Sequence, residues 1–151
     1  MRSNVVRLIF IIFPSFFSDM LLASTSPRDV VLVEDNPVFA KMARLNLTEM
    51  GLEVHDAENG EKGITMARQL IAQSKPILVL TDINMPVMDG LKMVELIRAD
   101  LILRGVPIIC MSDKESADKA KKAGANAFLE KPFGTDSFKT CVRPFIVPAV
   151  Q

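Results

Sequence analysis

Polar and apolar positions change rhythm repeatedly along this chain. From Asp29 onward, short apolar runs alternate with stretches whose apolar residues recur at three- and four-residue spacing. The runs are VVLV (30–33), a weaker LEVH (52–55), ILVL (77–80), PIICM (107–111) and AFLE (127–130). Runs this short, separated by helical patterns, predict strands of a parallel sheet built from βαβ units. Phe39, Met42, Ala43, Leu47 and Met50 mark one face of the first helix. Gly51 suits a left-handed cap at its end, and Asn59 can cap the start of the second helix. Gly124 closes the fourth, and Thr135 or Asp136 opens the fifth. Five strands and five helices, with no repeat and no internal linker, imply an α/β fold. Handed crossovers make it a doubly wound five-stranded parallel sheet in a three-layer sandwich, with order 2-1-3-4-5 common for this element count.

In such sheets the ligand crevice lies beyond the carboxyl ends of the strands, at the switch point of the winding. The first strand ends in Glu34-Asp35, the third in Thr81-Asp82, the fourth in Ser112-Asp113 and the fifth in Glu130-Lys131-Pro132. The acidic ends of strands one and three therefore meet, with Ser112 and Lys131 closing the other side. Gathered carboxylates raise one another's pKa unless a cation neutralises them. Hard oxygen ligands favour Mg²⁺, which shares its shell with water and phosphate oxygens. Lys131 is a flexible point charge for a carboxylate or phosphoryl oxygen, and Ser112 can donate a hydrogen bond to one. Each residue alone also reads as an ordinary solvated strand end; the five together, on the ends of one topology, point to a site.

Composition sets limits without naming a function. With 18 basic and 18 acidic residues the net charge is zero, which argues against nucleic acid as a partner. Lys119, Lys121 and Lys122 read as a solvated helix face. Cys110 and Cys141 lie among apolar residues without metal or redox spacing, which fits a cytoplasmic protein with buried thiols. The single histidine, His55, has no paired ligand near it in sequence.

Residues 1–27 form an apolar N-terminal extension, 28–147 the folded domain and 148–151 a C-terminal tail. In the extension Arg2 and Arg7 precede LIFIIFPSFF (8–17) and then ASTS (23–26). Ten residues interrupted by Pro14 are too short to span a bilayer as a helix. The segment reads as a stretch upstream of a native start at Met20, as an apolar arm docking on a partner or membrane surface through residues 1–26, or as a secretory signal.

The stretch TDINMPVMDG (81–90) brings a family into view. With VLVEDN (31–36), AENGE (57–61), PIICMS (107–112) and AGANAFLEKPF (123–133), the chain from about Arg28 to Ile146 resembles the response-regulator receiver domain, a flavodoxin-like fold, in its stand-alone chemotaxis form. The resemblance implies that Asp82 is the phosphoacceptor, forming an acyl phosphate. It implies that Asp35 binds Mg²⁺ directly, Glu34 binds it through water, and the backbone carbonyl of Asn84 completes the protein's share. Lys131 would contact the phosphoryl group, Ser112 would be drawn to it, and Phe128 would be the coupled aromatic. Phe128 reads equally as plain core. Pro86 pushes Met85 towards extended backbone, and Gly90 permits a turn other residues resist.

The sequence departs from the family at three places. Glu34 stands where Asp is more frequent, Ser112 where Thr is, and Asp113 where a small residue usually leaves the acceptor accessible. Asp113 is therefore expected to slow phosphorylation or alter the phosphoryl lifetime, unless it points outward or caps the next helix. A short fourth helix is expected, and Pro144 and Pro148 are expected to interrupt the fifth. The resemblance also implies a histidine kinase or phosphotransfer protein upstream and an unidentified protein target downstream. With no output domain after residue 146, the expected output is altered protein–protein affinity rather than enzymatic turnover. A pseudo-receiver that binds without phosphorylation is the alternative. A haloacid-dehalogenase type of phosphatase is disfavoured, because Asn84 stands where that chemistry needs a second acid.

Overall fold

The computed structural model describes residues 26–146. Five strands, β1 (Asp29–Val33), β2 (Glu53–Ala57), β3 (Ile77–Asp82), β4 (Ile108–Ser112) and β5 (Ala127–Glu130), alternate with helices. These are α1 (Pro37–Glu49), α2 (Gly60–Ala72), α3 (Gly90–Ala99), α4 (Ala117–Ala123) and α5 (Thr135–Ile146). All strand pairs are parallel, in the order β2-β1-β3-β4-β5, as the sequence predicts. Strands β2, β3 and β4 extend one or two residues further towards their carboxyl ends than the apolar runs alone indicate, which carries Asp82 and Ser112 into the ladder.

Alternation within the strands sorts the core into two layers. Val31, Val33, Val79, Ile108 and Cys110 face Ala67, Leu70, Met93, Ile97 and Ala120 from α2, α3 and α4. Their neighbours Val30, Leu32, Leu78, Leu80, Ile109 and Met111 face Ala43, Leu47, Phe138 and Val142 from α1 and α5. Burial on both faces explains why β1, β3 and β4 read as continuous apolar runs rather than alternating ones.

The helix ends follow their chemistry. Asn36 caps α1 by accepting from the amides of Val38 and Phe39, and Asn59 caps α2 by accepting from Lys62. Gly51 and Gly124 sit at φ 80° and 114°, the left-handed region that glycine enters without steric cost. The fourth helix is short, at seven residues, and follows a single 3₁₀ turn at Lys114–Ser116. The fifth departs from expectation: Pro144 lies inside α5 and does not end it. Phe145 and Ile146 beyond it pack against the α1/α5 layer, and their burial offsets the missing backbone donor. Pro148, the tail 148–151 and the extension up to residue 25 lie outside the described residues. Among the described residues no helix is long and apolar enough to cross a membrane.

One clamp was invisible in the sequence. The Arg98 guanidinium on α3 donates to the carbonyls of Gly124, Arg104 and Val106 and to Asn126 Oδ1, at 2.7–2.9 Å. It thereby ties the α3–β4 and α4–β5 connections together. Asn126 Oδ1 also accepts from the amide of Ile108, the first residue of β4. Removing Arg98 leaves several acceptors without their donor, so Arg98→Ala is expected to lower stability by about 2 kcal/mol, read as a fall in the urea midpoint.

Candidate functional site

Topology brings the predicted residues to one crevice. β1 and β3 are neighbours with Val33 opposite Thr81, so Glu34 and Asp35 follow one strand where Asp82 ends the next. Carboxylate oxygens of Glu34, Asp35 and Asp82 lie within 4.8 Å of one another. Glu34 and Asp82 are buried, at 6% and 7% exposure, whereas Asp35 is exposed.

Lys131, at the end of β5, reaches across β4 into this cluster. Its Nζ lies 2.6 Å from Glu34 Oε2 and 3.2 Å from Asp82 Oδ1. The Lys131 backbone amide donates to the Ser112 carbonyl at 2.8 Å, which fixes the lysine beside β4. Ser112 itself is buried at the end of β4, level with Glu130.

Hydrogen bonds set the carboxylates individually. Asp82 Oδ1 accepts from the amide of Ile83 at 2.7 Å, and the Thr81 hydroxyl donates to the Asp82 carbonyl at 2.8 Å. Glu34 accepts from the Asn36 amide at 2.9 Å on one oxygen and from Lys131 on the other. Burial nonetheless pushes the Glu34 carboxyl above its ordinary range. The hydrogen bonds from Lys131 and Asn36 pull it back and the negative charge of Asp82 pushes it up again.

A carboxyl whose folded pKa is raised binds its proton more tightly folded than unfolded. Its charged form therefore costs stability at neutral pH, and the cost fades as pH falls through the raised value. In metal-free buffer, wild-type stability is expected to improve relative to Glu34→Gln as pH drops from neutral through that window. Urea midpoints of both proteins across pH check the sign; a wild type that instead loses ground on acidification would show the Lys131 ion pair outweighing burial.

The donor set fits a hard divalent cation. Three carboxylates against one ammonium leave an excess of negative charge, and all the available ligand atoms are oxygens, the preference of Mg²⁺. Asn84 lies in the exposed segment two residues beyond Asp82. Val87, further along it, adopts a left-handed φ of 67° and is 75% exposed, a conformation a β-branched residue rarely takes. Gly90 closes the segment by donating its amide to the Ile83 carbonyl at 2.8 Å, and Asp89 caps α3 through Lys92.

Two predicted residues sit outside the crevice's polar cluster. Asp113 is exposed, and its Oδ1 accepts from both the amide and the hydroxyl of Ser116; its carboxylate caps the turn after β4. Phe128 is half-buried and packs against the layer formed by α2, α3 and α4. Two partnerships went unforeseen. Phe39 on α1 lies under Lys131, with Nζ 4.3 Å from the ring centroid, and its ring stands 6.0 Å from that of Phe133. His55 has a partner that its sequence neighbourhood does not reveal: the β1–β2 register places Nε2 2.7 Å from Asp29 Oδ1, while Glu53, two residues earlier on β2, lies 4.0 Å away. Nothing in local spacing signals the Lys131–Phe39 or the His55–Asp29 contact. Both cysteines are free thiols, and burial pushes that of Cys110 up to about 12.

Known proteins share this fold. The family model for the response regulator receiver domain matches residues 30–143. The chemotaxis protein CheY1 of Helicobacter pylori is 32% identical over 107 residues, covering 69% of this chain and 85% of its own. The polar-differentiation response regulator DivK of Brucella anthropi is 27% identical over 123 residues, covering 80% of this chain and 97% of its own. Among solved structures, the receiver domain of sensor histidine kinase PA1611 from Pseudomonas aeruginosa was determined with a magnesium ion in its active site cleft. It is 29% identical, with a TM-score of 0.67 over 80% of this chain and 98% of its own.

Proposed function

Because this chain belongs to the response regulator receiver domain family, we propose that it is a phosphoacceptor of two-component signalling, modified on Asp82 by a histidine kinase or phosphotransfer protein. The observation that carries this reading is the setting of Asp82: a buried carboxylate ending the central strand, 3.2 Å from Lys131 Nζ and beside two further carboxylates. An Asp82 oxygen attacks the phosphorus of the donor. The new O–P bond forms as the bond to the donor's leaving group breaks, and the electron pair departs with that group.

Alignment and charge neutralisation do most of the work in such transfers. The Ile83 amide holds one Asp82 oxygen in place. Lys131 offers its ammonium to the incoming phosphoryl oxygens, and Ser112 offers its hydroxyl. Glu34, Asp35, Asp82 and the Asn84 carbonyl are the groups that would hold Mg²⁺, and the bound ion supplies charge neutralisation between the carboxylates and the phosphoryl group. The magnesium in the PA1611 cleft supports that assignment.

Output follows as a change in affinity for a protein target. Phosphorylation biases a pre-existing equilibrium by the difference in its interactions with two states. Ser112 and Phe128 are the residues through which the modification is read. The protein acts as a switch that is modified and reset, not as a turnover enzyme, and it works in the cytoplasm where kinases meet ATP. Asp113 is left a modest role, since its carboxylate is committed to Ser116.

Intact mass spectrometry after incubation with acetyl phosphate tests the proposal. One labile phosphoryl group is expected with Mg²⁺ and none when the metal is chelated. No adduct under either condition would favour a pseudo-receiver, and rapid multiple turnover would favour a phosphatase.

A further inference from the structure

The amino end of the sheet, opposite Asp82, holds a second group of metal-ligating side chains that phosphoryl chemistry does not use. The parallel register sets Asp29 on β1 directly opposite Glu53 on β2, and His55 follows two residues later. Residues two apart on a strand project from one face, so the imidazole and both carboxylates share one side of the sheet. A ligand atom from each lies within 4.8 Å of the other two. His55 Nε2 is 2.7 Å from Asp29 Oδ1 and 4.0 Å from Glu53 Oε1. Ligands around a tetrahedral Zn²⁺ stand about 3.3 Å apart, a spacing those two distances bracket.

The backbone holds the group in place. The Glu53 amide donates to the Arg28 carbonyl at 2.8 Å, which pins the start of β2 beside the start of β1. Asp29 is buried and the His55 side chain is only 20% exposed, whereas that of Glu53, at 69%, is free to swing onto an ion. Like charges directly opposite one another destabilise a sheet. The Lys75 ammonium, 3.2 Å from Asp29 Oδ1, offsets one of the two carboxylates. We propose that Asp29, Glu53 and His55 form a Zn²⁺ site that staples the edge strand β2 to β1. One imidazole nitrogen with two carboxylate oxygens suits zinc, whereas Mg²⁺ favours the all-oxygen set around Asp82. The imidazole binds through Nε2 with its proton on Nδ1, and Lys75 draws back from Asp29. The two sites lie at opposite ends of the strands, so the proposal stands independently of the function of Asp82.

His55 is the only histidine of the chain, so a single imidazole signal in the NMR spectrum of tag-free protein reports on the site. With excess Mg²⁺ present to occupy the Asp82 crevice, zinc chloride is expected to shift that signal and to saturate the shift at one ion per chain. Calorimetry supplies the affinity. His55→Gln is expected to abolish this binding. Glu53→Gln, at a position too exposed to perturb folding, is expected to weaken it at least about tenfold, the cost of losing even an outer partner of a bound metal. Lys75→Met, which removes the competing ammonium, is expected to tighten it, and Asp35→Asn to leave it unchanged. Zinc is also expected to raise the urea midpoint of the wild type and not that of His55→Gln. The proposal fails if the His55 signal does not move at saturating zinc, or if Glu53→Gln binds as tightly as the wild type. Zinc uptake that survives His55→Gln but is lost in Asp35→Asn or Cys141→Ser would overturn it in favour of the crevice or a thiol.

Discussion

Asp82→Asn is expected to eliminate the phosphoryl adduct, a loss of roughly 10³-fold or more in the rate of its formation. The substitution keeps the volume and the side-chain oxygen that accepts from the Ile83 amide at 2.7 Å. What it removes is the negative charge and the nucleophilic oxygen. An amide oxygen has its electron density shared with nitrogen, and the neighbouring Lys131 then lacks the anion 3.2 Å away that it now faces. Folding should survive, because Glu34 still pairs with Lys131 at 2.6 Å. Intact mass after exposure to acetyl phosphate and Mg²⁺, with circular dichroism to establish the fold, provides the check. A variant that still takes up one labile phosphoryl group at the wild-type rate would move the acceptor elsewhere.

Gly90→Ala is expected to damage fold and site together, costing about 3 kcal/mol of stability. A Cβ built on Gly90 would lie 2.0 Å from the Asp82 carbonyl oxygen and 3.0 Å from the Asp82 carbonyl carbon and the Ile83 Cα. All three neighbours are backbone, and Asp82 belongs to β3, so no flexible side chain can yield. Relief requires α3 to move off the strand, which breaks the Gly90–Ile83 hydrogen bond and shifts the residue bearing the acceptor. The urea midpoint should fall substantially, and the surviving folded protein should be phosphorylated more slowly. An unchanged midpoint would mean that the close approach of α3 to β3 is not a constraint.

Much of this architecture was legible because buried parallel strands and helices leave different periodicities. VVLV and ILVL have no polar position to spare, since both faces of β1 and β3 are covered by helices. Gly51 and Gly124 could be placed at helix ends because few other residues tolerate their backbone angles. Where local rules misled, distant packing had overruled them. Pro144 breaks the backbone pattern of α5, but Phe145 and Ile146 find apolar partners only if the helix continues. Val87 holds a left-handed backbone that its β-branched side chain disfavours, and no composition rule predicts that.

The site divides in the same way. Glu34, Asp35, Asp82, Ser112 and Lys131 could be placed at one crevice because each ends a strand, and strand order then fixes which ends meet. The contacts that tune them are long-range and unmarked. Lys131 meets Glu34 across 97 residues and Phe39 across four strands and three helices of intervening chain. Arg98 finds two of its four acceptors 26 and 28 residues away. Asp113 shows the reverse case. Its place after Ser112 suggests influence on the acceptor, yet the first free donors within its reach are those of Ser116.

The central claim is that Asp82 alone carries the phosphoryl group, and reduction of the labelled protein with borohydride tests it most directly. Borohydride converts an aspartyl phosphate to homoserine and leaves free carboxylates intact, so peptide mass spectrometry reads the position of the adduct. Homoserine at position 82, dependent on Mg²⁺ and absent at Asp35 and Asp113, is the predicted result; homoserine at another position, or none in a protein that has gained phosphate, would contradict the account.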